Sequence, residues 1–535
     1  MIPRYLVNFD SDKLEKSIYD LLVIGSGIAG LTAALRACGK YKTLLLTKSE
    51  VKESTTWYAQ GGVATAVGKH DSPQLHFEDT ILAGDGLCDP RVVKILVTEG
   101  PGRITDLIHL GAEFDRLGGE MRLTREGGHS LPRILHAGDA TGSAIESTLV
   151  RVAKLCSGLQ IKEHVFVVDL LDFDGRCIGA IIFEPSLGRI SICLAKAVIL
   201  ATGGAGQIYS VTTNPPISTG DGVAMAYRAG AEIMDMEFVQ FHPTALDEEQ
   251  NPRFLITEAL RGEGAYLRDC KGNRFMAQVH PKAELAPRNI VVRGMVKVMH
   301  DCKTDHVYLD ATHIFPLKLK ERFPTIWKRC QESGYDLSTD LIPVSPAAHF
   351  MIGGVKTDIY GRTNLPGLYA SGEVAANGVH GGNRLASNSL LEGLVFSKRI
   401  MDILEEEING ISQEDLLGIR MAYVYPRKPK DVKIEECRNL IQKTMMEDVG
   451  VTRSRISLKR ALKVMDSLKD ILNMEFSSVE GFELQNMIIV AELICKSALM
   501  REESRGVHFR EDFPEKDDAN WKEHIVLKIN HCHPR

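Results

Sequence analysis

The run Gly25-Ser26-Gly27-Ile28-Ala29-Gly30 constrains this chain more than any other part of it. It comes after the apolar stretch Tyr19-Asp20-Leu21-Leu22-Val23-Ile24, and beyond it the apolar spacing from Ile28 to Leu35 turns helical. Strand, glycine turn and helix in that order make a G-x-G-x-x-G unit, in which small residues let the backbone approach a pyrophosphate while the helix N-terminus faces its charge. Residues 43 to 47 supply a second strand at βαβ distance, which right-handed crossover lays parallel to the first. The chain opens as a dinucleotide-binding fold.

The residues at the end of that second strand indicate the nucleotide. An acid normally meets the ribose hydroxyls there, but the chain reads Leu46-Thr47-Lys48-Ser49 and reaches its first acid only at Glu50, so a plain NAD reading loses support. Lys48 is left either to meet a phosphate or a ribose or to stand exposed in the loop. Far downstream, Gly367-Leu368-Tyr369-Ala370-Ser371-Gly372-Glu373 is a second strand ending in a glycine turn, with a carboxylate placed to meet a ribityl chain. Two nucleotide-facing turns so far apart in one chain suggest FAD.

A length of 535 residues predicts about three or four domains. Helical patterns at 90–111 and 139–156 flank a Gly-rich loop at 117–129, and strand-like runs come next at 161–171, 177–183 and 197–201. Residues 236–350, rich in Pro and His, look like an insertion, and long helical patterns such as 456–472 and 481–500 dominate the C-terminal part. The fold class expected is α/β: a Rossmann-like FAD-binding domain (1–235 and 351–420), an inserted α+β capping domain (236–350) and a C-terminal helical domain (421–535).

Lys plus Arg numbers 64 against 70 for Asp plus Glu, a formal charge of −6, so no global basic field attracts nucleic acid or anionic lipid. The most apolar stretch, Leu21 to Leu35, is broken by three glycines and is shorter than the roughly 20 residues a spanning helix needs. No secretory or transit signal is evident in Met1 to Asp20, and the cytoplasm is the compartment expected. The 11 Cys lie singly with no C-x-x-C pair and read as reduced thiols. His531-Cys532-His533 reads as a frayed tail, and no metal site is expected.

Several longer strings point one way: Tyr58-Ala59-Gln60-Gly61-Gly62, Gln240-Phe241-His242-Pro243-Thr244, Thr257-Glu258-Ala259-Leu260-Arg261-Gly262-Glu263-Gly264, Pro287-Arg288, His349 before Gly353-Gly354, and His380-Gly381-Gly382-Asn383-Arg384-Leu385-Ala386-Ser387-Asn388-Ser389-Leu390. Together they resemble the flavoprotein subunits of succinate dehydrogenase and fumarate reductase, and within that family the branch that oxidises an amino acid. Two departures favour that branch. Thr55 stands where the respiratory subunits carry a histidine bonded to the flavin, which implies non-covalent FAD. Glu126, in Leu123-Thr124-Arg125-Glu126-Gly127-Gly128-His129-Ser130, stands where they carry a neutral glutamine; a carboxylate there suits a substrate ammonium, unless it merely pairs with Arg125 on a solvated loop.

The resemblance implies oxidation of L-aspartate to iminoaspartate, with dioxygen (yielding hydrogen peroxide) or fumarate as acceptor, as the first step of de novo NAD synthesis through quinolinate. It places the side-chain carboxylate of the dicarboxylate on His242 and Thr257 and the α-carboxylate on His349 and Arg384. Arg288 becomes the acid/base, either shuttling a proton through Glu258 or Arg261 or only polarising the substrate, and Glu126 the ammonium site. FAD would meet Gly25, Ser26, Gly27, Ile28, Ala29, Gly30, Lys48, the loop Thr55-Thr56-Trp57-Tyr58-Ala59-Gln60-Gly61-Gly62, Val167, Asp221, Glu373, Ser389 and Leu390. His242, Thr257, Arg288 and His349 would meet the flavin only on closure of the cap. Quinolinate synthase is the protein partner implied. The rivals are a fumarate reductase or succinate dehydrogenase subunit of a membrane complex and a flavin-dependent RNA-modifying protein; Thr55 and Glu126 count against the first, the acidic balance against the second.

Overall fold

The computed structural model describes residues 2–429 and 431–529, so the His531–His533 segment lies outside the described residues. Its centre is a seven-stranded sheet of spatial order Phe166–Phe173, Arg176–Glu184, Arg189–Leu200, Lys16–Ile24, Thr43–Leu46, Leu159–Lys162. Lys16–Ile24 is parallel to both neighbours, as the βαβ reading requires. The seventh strand, Leu368–Ala370, takes over the edge of Arg189–Leu200 that Arg176–Glu184 leaves, pairing Val198 with Leu368 after Leu194 has paired with Gly179. That hand-over brings the Glu373 turn beside the first glycine turn, although they are far apart in sequence.

The turn between Lys16–Ile24 and the helix Ile28–Ala37 tolerates only glycine where it matters. Gly25 has φ +110°, and a Cβ there would lie 2.1 Å from the Ala201 carbonyl oxygen; a Cβ on Gly30 would lie 1.9 Å from the oxygen of Gly25. Gly30 thus packs the helix onto the turn rather than meeting a ligand.

The inserted segment builds a four-stranded sheet in the order Val239–Leu246, Ile342–Met351, Val307–Asp310, Tyr266–Arg268, and the helix Arg288–Cys302 packs on it. Leu260, Met295, Leu309 and Phe323 belong to a core of its own. The long strands Val239–Leu246 and Ile342–Met351 join it to the rest and pair antiparallel, with His242 opposite Ala347. Near the C-terminus, helices Ile434–Asp448, Arg455–Leu468 and Val479–Met500 share one hydrophobic core with the central sheet, where Phe482 stacks on Phe166 at 5.7 Å between ring centroids.

The cysteines correct the sequence reading. Cys38 and Cys156, just beyond the packed helices Ile28–Ala37 and Thr141–Ala153, form a disulfide with Cα atoms 5.7 Å apart across 118 residues. Cys270 and Cys302 form another, Cα to Cα 6.1 Å. Neither pairing shows in local spacing, because helix packing brings the first pair together and the fold of the inserted segment sets the turn holding Cys270 beside the end of the helix Arg288–Cys302. Cys177, Cys193, Cys330 and Cys495 are free and buried.

Candidate active site

A single cavity of about 480 Å³ receives the glycine turn, the loop after Ser54, the Glu373 turn and the cap strands. Of the residues expected at FAD, all but Gly30 and Trp57 line it. Gly30 is occupied beneath the turn, and the Trp57 ring lies instead under the Lys52 ammonium at 5.2 Å. Gln60 Oε1 and Thr202 Oγ1 are buried on this wall without a protein partner, as polar atoms awaiting a ligand would be. A Cβ on Gly204 would come within 2.3 Å of Glu373 Oε1, so the second turn is as tightly drawn as the first. An extended dinucleotide fits this lining of glycine turns, backbone and unpaired polar atoms.

Lys48 departs from expectation. Its ammonium is held by Asp221 at 2.7 Å, Glu483 at 2.6 Å and Thr219 at 2.8 Å, so it is a neutralised part of the cavity wall rather than a free phosphate ligand. Asp221 begins the helix Asp221–Arg228 and also accepts from Asn486 at 2.8 Å. Thr55 presents only a hydroxyl, 3.3 Å from Ser218 Oγ. Glu373 accepts from the Met351 N–H at 2.9 Å, and burial lifts its carboxyl to about 7.

At the other end of the cavity, Arg288 opens the helix Arg288–Cys302 and is clamped from two sides: Nε donates to Glu258 Oε2 at 2.6 Å and Nη1 to Gln240 Oε1 at 3.1 Å. Arg384 donates to the same Gln240 oxygen from Nε at 3.2 Å and Nη2 at 3.0 Å, lies 4.3 Å over the Phe350 ring, and is pulled by burial and by Arg288 to about 9. Gln240 thereby sets the spacing of two guanidinium groups. The sequence string contained it without a role; its position two before His242 on a strand, hence on the same face, is the signal that finds it. Ser387, Thr213 and Asn214 were missed as well, and for the last two nothing local announces them.

Burial, then Arg288 and His349, hold His242 well below the usual histidine range; burial, Arg384 and Arg288 do the same to His349. Both imidazoles are therefore neutral hydrogen-bonding groups rather than cations. His242 Nδ1 accepts from the Thr244 N–H at 3.2 Å, which leaves Nε2–H as its donor. His349 Nδ1 is 2.9 Å from Thr213 Oγ1, and the two rings stand 5.1 Å apart. Thr257 caps the short helix Glu258–Gly262, which aims Glu258 at Arg288.

Glu126 is 3% exposed and points inward, accepting from Ser387 Oγ at 2.7 Å, while Arg125 stays exposed; the solvated ion pair between these neighbours is not what forms. Burial and Glu258 raise the Glu126 carboxyl. Glu258 is also buried, yet Arg288 and Arg261 outweigh burial and hold it low. Arg261 and Glu258 do not line the cavity: Arg261 stands behind, 3.6 Å from Glu258 and donating to the Glu284 carbonyl. His242, Thr257, Arg288 and His349 line the same cavity as the glycine turns, the arrangement expected of a cap closed over the cofactor.

Residues 20–390 match the FAD binding domain family and residues 438–534 the fumarate reductase flavoprotein C-terminal family. An L-aspartate oxidase of Streptomyces coelicolor is 46% identical over 96% of this chain and 91% of its own, and one of Synechocystis 40% identical over 95% and 97%. The chain belongs to the L-aspartate oxidases, within the succinate dehydrogenase and fumarate reductase flavoprotein family. Among solved structures, E. coli quinol fumarate reductase FrdA superposes with a TM-score of 0.89 at 32% identity, covering 96% of this chain and 94% of that one. Mycobacterium smegmatis Sdh1 does so with 0.82 at 31%, covering 98% and 96%. Membership makes the chain a flavin-dependent oxidoreductase with FAD as its cofactor. Among the described residues no helix is long and apolar enough to cross a membrane.

Proposed function

We infer that this chain oxidises L-aspartate to iminoaspartate, with dioxygen or fumarate as the electron acceptor, and so begins de novo NAD synthesis through quinolinate. The observation that carries the reading is a buried carboxylate, Glu126, in the same cavity as Arg288, Arg384 and two neutral imidazoles. A dicarboxylate alone needs the cations; the extra anion is what an ammonium needs.

FAD, when bound, supplies the hydride acceptor. The chain's own residues fix the substrate. The His242 Nε2–H and Thr257 hold the side-chain carboxylate, His349 and the Arg384 fork hold the α-carboxylate, and Glu126 holds the ammonium. Arg288, kept in place by Glu258 and Gln240, is the acid when fumarate is reduced and a fixed positive charge when aspartate is oxidised. Arg261 positions Glu258 from behind. Thr55 has no ring nitrogen, so FAD dissociates intact. In this reading residues 236–350 form the cap, 1–235 and 351–420 carry the cofactor, and 421–535 form the helical part. The cytoplasm is the compartment we assign, with quinolinate synthase as the consumer of the product.

Anaerobic addition of L-aspartate to the yellow holoprotein bleaches its visible spectrum, whereas succinate at the same concentration leaves it unchanged. Colour that persists with aspartate overturns the reading.

A further inference from the structure

Glu126 faces two cavities. Besides the site cavity, it lines a second one of about 380 Å³ together with Arg125, His129, Ser130, Lys282 and Leu285. Arg125, Ser130 and Lys282 are exposed, so this outer cavity meets water, while Glu126 is buried between the two.

We propose that Glu126 is the base that takes the proton shed by the substrate ammonium and passes it to water in the outer cavity, which makes that cavity the proton exit of aspartate oxidation. The proposal rests on the reading of the site given above. One N–H bond of the ammonium breaks and its proton goes to the Glu126 carboxylate. The pair left on nitrogen becomes the second bond of C=N as the Cα–H pair departs as hydride to the cofactor already assigned. One proton per turnover must therefore leave the nitrogen, and no further reagent is required.

The other groups facing this point cannot take it. Glu258 is held by Arg288 Nε and by the Gly127 N–H at 3.0 Å, with Arg261 behind it. Arg261, Arg288 and Arg384 already carry their protons. His129 has both nitrogens engaged: Nε2 donates to the Ala386 carbonyl at 2.9 Å, and Nδ1 accepts from Arg133 Nη1 at 3.2 Å. Glu126 has one oxygen on Ser387, and the other lies where a Cβ on Gly61 would come within 2.8 Å of it, against the cofactor loop. Burial and Glu258 raise its basicity, which suits a proton acceptor, and the charges of Arg125 and Lys282 on the outer side favour its release of the proton.

The test is chemical rescue, read as the rate of flavin bleaching by L-aspartate in the holoenzyme. Glu126→Ala slows bleaching about 100-fold, the usual worth of a positioned base, and added formate, entering through the outer cavity, restores at least about tenfold of the loss. Leu285→Trp, introduced with Glu126→Ala to plug the outer cavity, removes the rescue, and introduced alone slows bleaching while succinate affinity is unchanged. Lys282→Trp, at the exposed rim, is the second plug should Leu285→Trp not fold. Rescue that survives both plugs overturns the exit route, and failure of formate to rescue overturns the proton-accepting role while the ammonium site stands, visible as a raised KM for aspartate. Bleaching at the unaltered rate in Glu126→Ala defeats both this proposal and the ammonium assignment.

Discussion

A guanidinium is worth most where its planar fork is held, and Arg288 is held by Glu258 on one side and Gln240 on the other. Arg288→Lys keeps the charge, so buried Glu258 is not stranded, but a lysine cannot span both partners. Misplacement of about 1 Å costs on the order of 100-fold in rate, and turnover with both aspartate and fumarate is expected to fall by that much. Flavin content should be unchanged, since Arg288 sits on the cap helix. Near-normal turnover measured in the variant removes Arg288 from the chemistry. Most of this site was legible because its side chains sit in long strings whose order is unusual, as with His242 and Arg384. Gln240 was visible but unassigned, because a neutral amide announces nothing until two arginines are seen to share its oxygen. The neutrality of both histidines was not legible at all, being a product of burial beside Arg288 and Arg384.

Elements were read well where local chemistry dictates them and poorly where tertiary contact does. Gly25 and Gly30 leave no alternative to a strand-to-helix turn, and that unit stands as expected. The run 161–171 instead splits into Leu159–Lys162 and Phe166–Phe173 around His164, at φ +57°. The helix Asn388–Asn409 went unseen, since it starts after Ser387 at φ +63° with no side-chain cap to mark it. Packing of the helix Thr141–Ala153 on the cofactor loop is equally invisible from sequence: a Cβ on Gly142 would lie 1.8 Å from the Thr56 carbonyl oxygen, and Glu146 accepts from Ser54 Oγ at 2.6 Å. Burial raises Glu146 to about 8, with Glu53 adding to the rise and Ser54 and Lys52 opposing it. A carboxyl with a higher pKa folded than unfolded adds stability that is complete below its unfolded value of about 4.5 and is lost as pH rises through about 8. Glu146→Gln, neutral at every pH, should flatten the fall in melting temperature across that window. It leaves the protein a few degrees more stable than the parent at the alkaline end. An unchanged slope would mean that Glu146 is ionised in the folded protein.

At the scale of the whole molecule, the C-terminal helices finish a core begun by the first strands. Phe482, Leu484, Met487, Ile488, Leu493 and Ile494 of the helix Val479–Met500 are each no more than 1% exposed. At about 1.5–3 kcal/mol for each buried side chain they contribute roughly 10–20 kcal/mol, as much as or more than the 5–15 kcal/mol net stability of a typical domain. The same helix reaches the cofactor cavity, since Glu483 holds Lys48 and Asn486 holds both Asp221 and Arg228. A second tie is fully buried and ionic: Arg501 pairs with Glu237 at the start of the cap strands and with Glu503, which pairs with Arg505. Removing the helices would therefore expose the Phe166 face of the central sheet, strand Glu237 without a partner, and leave Lys48 with one acid instead of two. A chain ending at residue 420 is accordingly expected to fail to fold and to purify, if at all, as colourless aggregate. Gel filtration with flavin absorbance decides this, because a yellow, monodisperse shortened protein would show that the helical part is an appendage and that the cofactor fold stands without it.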